Sequence, residues 1–378
     1  MKHRSLLWVL TALVVLGLLV SACAPATTEV PPIATEAPVT DAPATEAPAA
    51  TEAPATEAPA GTEAPAAACE GDYVLVPKNL GNPYFDTAND GAQEAATELG
   101  INVLYQGSAT ADATEQITLL NSLIAQQPCG LAISANDSDA LVPTGQAAMD
   151  AGIPVVTWDS AIAPEGRDLL INQAETAGIG AVQIQMASEL AGEDGGQIAV
   201  LSATSTAPNQ NAWIEVMQQE LEKPEYANLE LVEVVYGDDD DTKSYGEAQA
   251  LFTKYPDLEV IIAPTTVGIA ASARAVTDAD LIGQVFVTGL GTPNQMREYV
   301  ENGAAPQFAL WNPADLGYLV VHAMHALSTG AITPAAGETF EAGKLGEYTV
   351  EEDDGGGFSV LLGTPFVFNA DNIDEFDF

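Results

Sequence analysis

Tyr73-Val74-Leu75-Val76 runs into Pro77-Lys78-Asn79-Leu80-Gly81-Asn82-Pro83-Tyr84-Phe85: a β-rich run, a polar loop and the opening of a helix. The unit then recurs. β-Rich runs follow at 101–105, 131–134, 154–157 and 169–171, and a second series at 198–201, 229–235, 260–262 and 285–287. Helical stretches such as 92–99, 115–125 and 177–190 lie between them. Strand and helix in alternation predict parallel sheets covered on both faces. The strands are too many for one small sheet. With a break near Asn172, they predict two α/β lobes, each Rossmann-like and doubly wound.

Composition narrows the function. The chain has 378 residues, 47% of them apolar and 17% charged, which fits folded domains with real cores. It carries 54 acidic and 10 basic residues, a formal charge of −44. That balance argues against nucleic acid, which needs Lys and Arg for its phosphates. It argues equally against docking on anionic lipid through a basic face. Three cysteines and three histidines are too few for a cysteine-rich zinc module, and no metal or cofactor is expected.

The N-terminus reads as an export signal over residues 1–22. Met1-Lys2-His3-Arg4 is basic, residues 6–20 are apolar, and Val20-Ser21-Ala22-Cys23 resembles a bacterial lipobox. The lipobox implies cleavage before Cys23, lipid on its thiol and attachment to the membrane without spanning it. An ordinary signal peptide with an incidental Cys is the plainer alternative. Residues 23–69 repeat Thr-Glu-Ala-Pro-Ala with variations and contain no Lys or Arg. Such a segment cannot bury enough surface to offset its ordering entropy, and reads as a linker. The folded part is then 70–378. Cys69 and Cys129 each stand just before an expected strand, and neighbouring strands would bring them together; a disulfide and two free thiols both fit.

In open α/β sheets ligands bind beyond the carboxyl ends of the strands. There the chain reads Lys78-Asn79, Asn136-Asp137, Trp158-Asp159-Ser160, Asn172-Gln173, Asn209-Gln210-Asn211, Pro264-Thr265-Thr266 and Trp311-Asn312. Amides, carboxylates and indoles in that concentration suit a sugar. Amides and carboxylates hold adjacent hydroxyls, and aromatic faces pack on pyranose C–H groups.

These stretches resemble the type I periplasmic sugar-binding proteins of ABC importers, within the branch of rhamnose-binding and autoinducer-2-binding receptors. The resemblance runs from about residue 72 to the end. It rests on 77–85, 157–160, 171–173, 209–213, 262–264, 310–313 and the closing 368–378. It implies two lobes joined by a three-segment hinge, with crossings near Asn172, Pro306 and Thr333. Lobe 1 would be about 70–172 plus 307–333, and lobe 2 about 173–306 plus 334–378. Carried over from the autoinducer-2 receptors, the pocket lysine is Lys78, the first carboxylate Asp159, the glutamine Gln210 and the proline Pro264. The chain departs from that pattern at Asn209 and Asn312, which stand at carboxylate positions, and at Thr266, where alanine is usual. Asn209-Gln210-Asn211 and Leu310-Trp311-Asn312-Pro313 resemble the rhamnose-binding side instead. The expected ligand contacts are therefore Lys78, Asn79, Tyr84, Phe85, Asn136, Asp137, Asp159, Gln173, Asn209, Gln210, Pro264, Thr266, Trp311 and Asn312. The implied partners are a small neutral sugar and the subunits of an ABC permease, with the chain a lipid-anchored monomer outside the cytoplasm.

Plainer readings stand beside these. Trp158 and Trp213 read as packing. Asp238-Asp239-Asp240-Asp241 lacks the alternate spacing of a Ca²⁺ loop and reads as a solvated cap on the next helix. His322 and His325 share a helical face but lack a third ligand for zinc. A transcriptional effector domain would need a basic helix-turn-helix where this chain has a signal and a linker. An enzyme on the same architecture would need a motif that is missing, since the chain has no Gly-x-Ser-x-Gly elbow and no P-loop. A chemotaxis or quorum-signal receptor would use the same closed form as transport.

Overall fold

The computed structural model describes residues 69–378, so the expected signal peptide, Cys23 and the linker as far as residue 68 lie outside the described residues. In chain order the strands are β1 (Tyr73–Val76), β2 (Val103–Tyr105), β3 (Gly130–Ile133), β4 (Val155–Trp158), β5 (Leu169–Ala174), β6 (Gly196–Ser202), β7 (Leu229–Tyr236), β8 (Leu258–Ala263), β9 (Phe286–Gly289), β10 (Gln307–Leu310), β11 (Thr339–Glu341), β12 (Glu347–Thr349), β13 (Glu351–Glu352), β14 (Phe358–Gly363) and β15 (Phe366–Asn369). The helices are α1 (Pro83–Leu99), α2 (Ala113–Ile124), α3 (Val142–Asp150), α4 (Thr176–Ala191), α5 (Pro208–Leu221), α6 (Asp241–Lys254), α7 (Thr266–Asp278), α8 (Pro293–Asn302) and α9 (Pro313–Ser328).

The first lobe is built on a sheet in the order β13-β14-β5-β4-β3-β1-β2. All four residues of β1 are buried. Tyr73 and Leu75 join a core with α1 and α9, while Val74 and Val76 join a separate core with Leu120 and Leu123 of α2. Successive strand residues face opposite sides, so a wholly apolar strand demands helices on both. Helices α1 and α9 cross at glycines. A Cβ on Gly91 would meet Ala314 O at 1.8 Å, and one on Gly317 would meet Ala88 O at 1.8 Å. Only a hydrogen at each position lets the backbones approach this closely.

The second lobe carries the parallel order β7-β6-β8-β9. A bridge from Leu290 to Ala309 extends it to β10, which pairs antiparallel with β15. Phe368 stacks on Phe308 with centroids 5.1 Å apart, which fastens the C-terminal strand to this lobe. Counted from one edge, the first five strands of each lobe follow the same plan, β2-β1-β3-β4-β5 and β7-β6-β8-β9-β10. This is the doubly wound order whose strand sequence reverses beside the first strand, where ligands bind.

The lobe boundaries differ from those expected at 307 and 333. Residues 307–310 belong to the second lobe, because β10 bridges β9 and pairs with β15. The stretch from β13 to β14 stays with the first lobe, because β14 pairs parallel with β5 and Arg167 Nη1 donates to Phe358 O at 2.9 Å. The chain thus crosses at Glu175, at Trp311-Asn312 and at Thr364-Pro365.

Cys69 and Cys129 are bonded to each other, with their Cα atoms 5.6 Å apart. The strands they precede, β1 and β3, are neighbours in register. His322 packs on Tyr318 with ring centroids 4.6 Å apart, and His325 Nδ1 lies 3.1 Å from the Tyr73 hydroxyl. Among the described residues no helix is long and apolar enough to cross a membrane, and no three His, Cys, Asp or Glu side chains group to hold a metal ion.

Candidate ligand-binding site

A cavity with about 30 Å³ of free volume lies where the strand ends of the two closed lobes face each other. Lys78 follows β1, Asp159 follows β4, and Asn209 and Gln210 open α5 after β6. Pro264, Thr265 and Thr266 follow β8, Leu290 follows β9, Leu310 ends β10 and Trp311 follows it. Each residue is placed by the same rule of topology.

Asp159 adopts the left-handed conformation at φ 58°, and Ser160 N donates to Trp158 O at 2.5 Å around it. This γ-turn holds Asp159 in the cavity lining, at a backbone cost. Ser134 Oγ donates to Asp159 Oδ2 at 2.9 Å, and Lys78 Nζ lies 3.5 Å from the same oxygen. Lys78 is only 3% exposed. An ammonium so enclosed requires anionic or carbonyl partners. Its second partner is Asn209 Oδ1 at 2.8 Å, from the opposite lobe. Asn209 Nδ2 returns a hydrogen bond to Asp159 O at 3.2 Å. Thr266 Oγ1 donates to Asn82 Oδ1 at 3.1 Å, and Thr206 Oγ1 to Asn136 O at 3.0 Å, both across the cleft. The lobes are therefore closed on one another by polar contacts.

Gln210 Oε1 accepts from Ser202 Oγ at 2.7 Å and from Ala203 N at 2.8 Å. With its oxygen committed, the side chain presents Nε2 as a donor. Part of the lining is aromatic. Trp311 Nε1 donates to Tyr84 Oη at 2.9 Å, and the indole meets Tyr84 and Trp213 edge-on, each at 6.1 Å. Phe85 stands edge-on between Tyr84 and the fully buried Trp158. Burial pushes the Tyr84 phenol well above its ordinary value, and the Asp159 carboxylate beside it adds to the effect, so it stays protonated.

Nine of the residues expected from sequence line this cavity: Lys78, Tyr84, Phe85, Asp159, Asn209, Gln210, Pro264, Thr266 and Trp311. Five do not. Asn312 is turned into the helix, where its Oδ1 accepts from Ala314 N at 2.9 Å as the N-cap of α9. Asn136 uses its Nδ2 on Lys78 O at 2.9 Å, so it positions the lysine's backbone. Asn79 and Asp137 line a wider, solvent-open space outside the cavity, and Asp137 Oδ1 caps the turn at Ala140 N at 2.9 Å. Gln173 is buried within β5 and reaches neither space. Trp213, read as packing, belongs to the wall instead. Asp239 does too, although the sequence hides it in an acidic run that looks like a helix cap. Asn82, Thr265, Leu290 and Leu310 complete the lining. Thr265 and Leu290 simply follow strands, Leu310 ends β10, and Asn82 caps α1.

Residues 73–332 match the model of the periplasmic binding protein domain. An ABC transporter solute binding protein from Clostridium phytofermentas, solved with bound L-rhamnose, is 37% identical, with a TM-score of 0.79 over 82% of this chain and 98% of that one. A sugar ABC transporter structure from Actinomyces odontolyticus is 45% identical, with a TM-score of 0.64 over 82% and 98% of the two chains. The D-ribose/D-allose-binding protein of Pseudomonas aeruginosa is 27% identical over 251 residues, 62% of this chain and 76% of its own. The chain thus shares its two-lobed type I fold with extracytoplasmic sugar-binding proteins of ABC importers, proteins that bind solutes without catalysis. It belongs to the periplasmic binding protein family.

Proposed function

We propose that this protein captures a neutral deoxyhexose, L-rhamnose first among them, between its two lobes and presents it to an ABC permease. One observation carries the reading. The cavity lining combines Lys78, Asp159 and Gln210 with Trp213, Trp311, Leu290 and Leu310. Ring hydroxyls need the first set, while the C–H face and the methyl of a deoxy sugar need the second. The relative solved with L-rhamnose supports the choice of sugar. The neutral amide of Asn209, at a position the resemblance gives to a carboxylate in autoinducer-2 receptors, supports it against that ligand.

The mechanism is capture. Ligand binds the closed form better than the open one and so shifts the population toward closure. The closed lobes are what the permease meets. Lipid on Cys23 would hold the protein, as a monomer, at the outer face of the membrane. Titration calorimetry of the full-length chain in detergent, after unfolding and refolding to remove carried ligand, tests the sugar. Saturable one-to-one binding of L-rhamnose is expected. Heat with autoinducer-2, ribose or xylose and none with rhamnose would overturn the choice of ligand.

A further inference from the structure

Three of the four aspartates at the start of α6 have partners outside the cavity. Asp240 Oδ1 accepts from Lys243 N at 2.7 Å and caps the helix. Asp238 pairs with Lys243 Nζ at 2.5 Å, and Asp241 with Arg274 at 2.8 Å. Asp239 differs. Its Oδ1 accepts the Thr265 hydroxyl, no hydrogen bond from the described residues reaches its Oδ2, and it stands in the cavity wall. The backbone reaches this position with φ 55° at Asp238 and 51° at Asp239. Consecutive non-glycine residues in that region are costly. Capping does not require the arrangement, since Asp240 alone caps α6. Asp239 also borders the wider space outside, beside Asn79 and Asp137. It stands at the threshold between the two.

We infer that Asp239 decides which ligands the cleft accepts, by taking a hydroxyl donor of the bound sugar on its free oxygen and by repelling ligands that carry negative charge. The inference rests on the sugar-capture reading. Lys78 and Asp159 lie 3.5 Å apart and largely cancel each other's charge. The remaining formal charge among the lining residues is that of Asp239. A carboxylate with one oxygen free of protein donors favours an O–H donor. An anionic substituent there would face a like charge. Burial raises the Asp239 carboxyl from its ordinary value, against the hydrogen bond from Thr265 and the charge of Lys78, as expected of a group withdrawn from bulk water.

Calorimetry on the full-length wild type, Asp239→Asn, Asp239→Ala and the neighbouring Asp240→Asn tests this, with L-rhamnose, L-rhamnose 1-phosphate, L-fucose, D-ribose and D-xylose. Both Asp239 variants are expected to bind rhamnose about tenfold more weakly or worse, the loss typical of a hydrogen bond to a charged group. Asp240→Asn should stay within about twofold on the same scale. The wild type should prefer rhamnose to its phosphate ester, and Asp239→Asn should narrow that gap, which a merely structural role would not do. Unchanged affinity in both Asp239 variants, or an unchanged gap, overturns the inference. Wild type that ignores rhamnose but takes another of these sugars overturns the choice of rhamnose alone, and Asp239 is then judged on that sugar. No binding of any of them overturns both.

Discussion

Lys78 of the first lobe reaches across the cleft to Asn209 of the second, Nζ to Oδ1 at 2.8 Å. The contact makes one side chain serve two purposes. It neutralises Asp159 within its own lobe, and it registers the position of the other.

Lys78→Met would leave Asp159 buried with Ser134 as its remaining side-chain partner. Removing one member of a buried pair costs about 3–5 kcal/mol. Chemical denaturation is expected to show a loss of that order, and calorimetry no sugar binding. Lys78→Arg should keep more of the stability than of the affinity, because a planar guanidinium cannot occupy the space of an ammonium. Wild-type affinity in Lys78→Met would remove Lys78 from the site.

Tyr84→Phe would strand the Trp311 indole N–H, whose acceptor is the Tyr84 hydroxyl. An unsatisfied buried donor costs about 1–3 kcal/mol. Burial raises the Tyr84 phenol in the folded state, with Asp159 adding to the shift. The folded chain therefore keeps its proton where the unfolded chain loses it. The stability this gives is complete below the unfolded value, about pH 10, and declines as pH rises beyond it. Urea midpoints measured between neutral and strongly alkaline pH should fall more steeply in wild type than in Tyr84→Phe.

Arg167 and Asp353 pair at 2.5 Å, and this pair helps to keep the segment before β14 on the first lobe. Burial alone would raise the Asp353 carboxyl, but hydrogen bonds from Arg167 and Gly357 and the guanidinium charge outweigh it and lower the value. Stability from the pair is present above the ordinary carboxylate range and is lost as pH falls through the depressed one. Arg167→Leu should flatten the acid limb of the stability curve, cost about 3 kcal/mol at neutral pH, and speed proteolysis near residues 353–357. An unchanged acid limb would show that the pair contributes nothing.

The Cys69–Cys129 bridge closes a loop with a separation of 60 residues. Chain-entropy reasoning gives roughly 4 kcal/mol for a loop of that size. Cys129→Ser should lower the melting temperature markedly, yet leave sugar affinity at 25 °C within about twofold, since neither cysteine lines the cavity. A large loss of affinity at full folding would contradict this.

The alternation of strands and helices was plain in the sequence because buried parallel strands are apolar throughout, as β1 and β3 are. Much of the cavity was legible for the same reason, since residues such as Lys78, Asp159 and Gln210 simply follow strands. Polar residues after strands have two fates, however, and the sequence does not separate them. Asn209 clasps the other lobe while Asn312 caps its own helix. Four successive aspartates look alike until the backbone turns Asp239 toward the cavity and leaves its neighbours on lysine and arginine. The last crossing was hidden because β14 pairs with β5, which lies nearly two hundred residues earlier in the chain. No local pattern encodes a partner so remote.

The disulfide sits at the amino-terminal edge of the first sheet, and the cavity at its carboxyl edge. If lipid on Cys23 holds the chain at the membrane, as proposed above, the load enters the described residues at Cys69, on the first lobe, and the bridge passes it into β3 as well as β1. The second lobe would then meet that load only through the three crossings, and closure on a sugar would move it as the free jaw of a clamp.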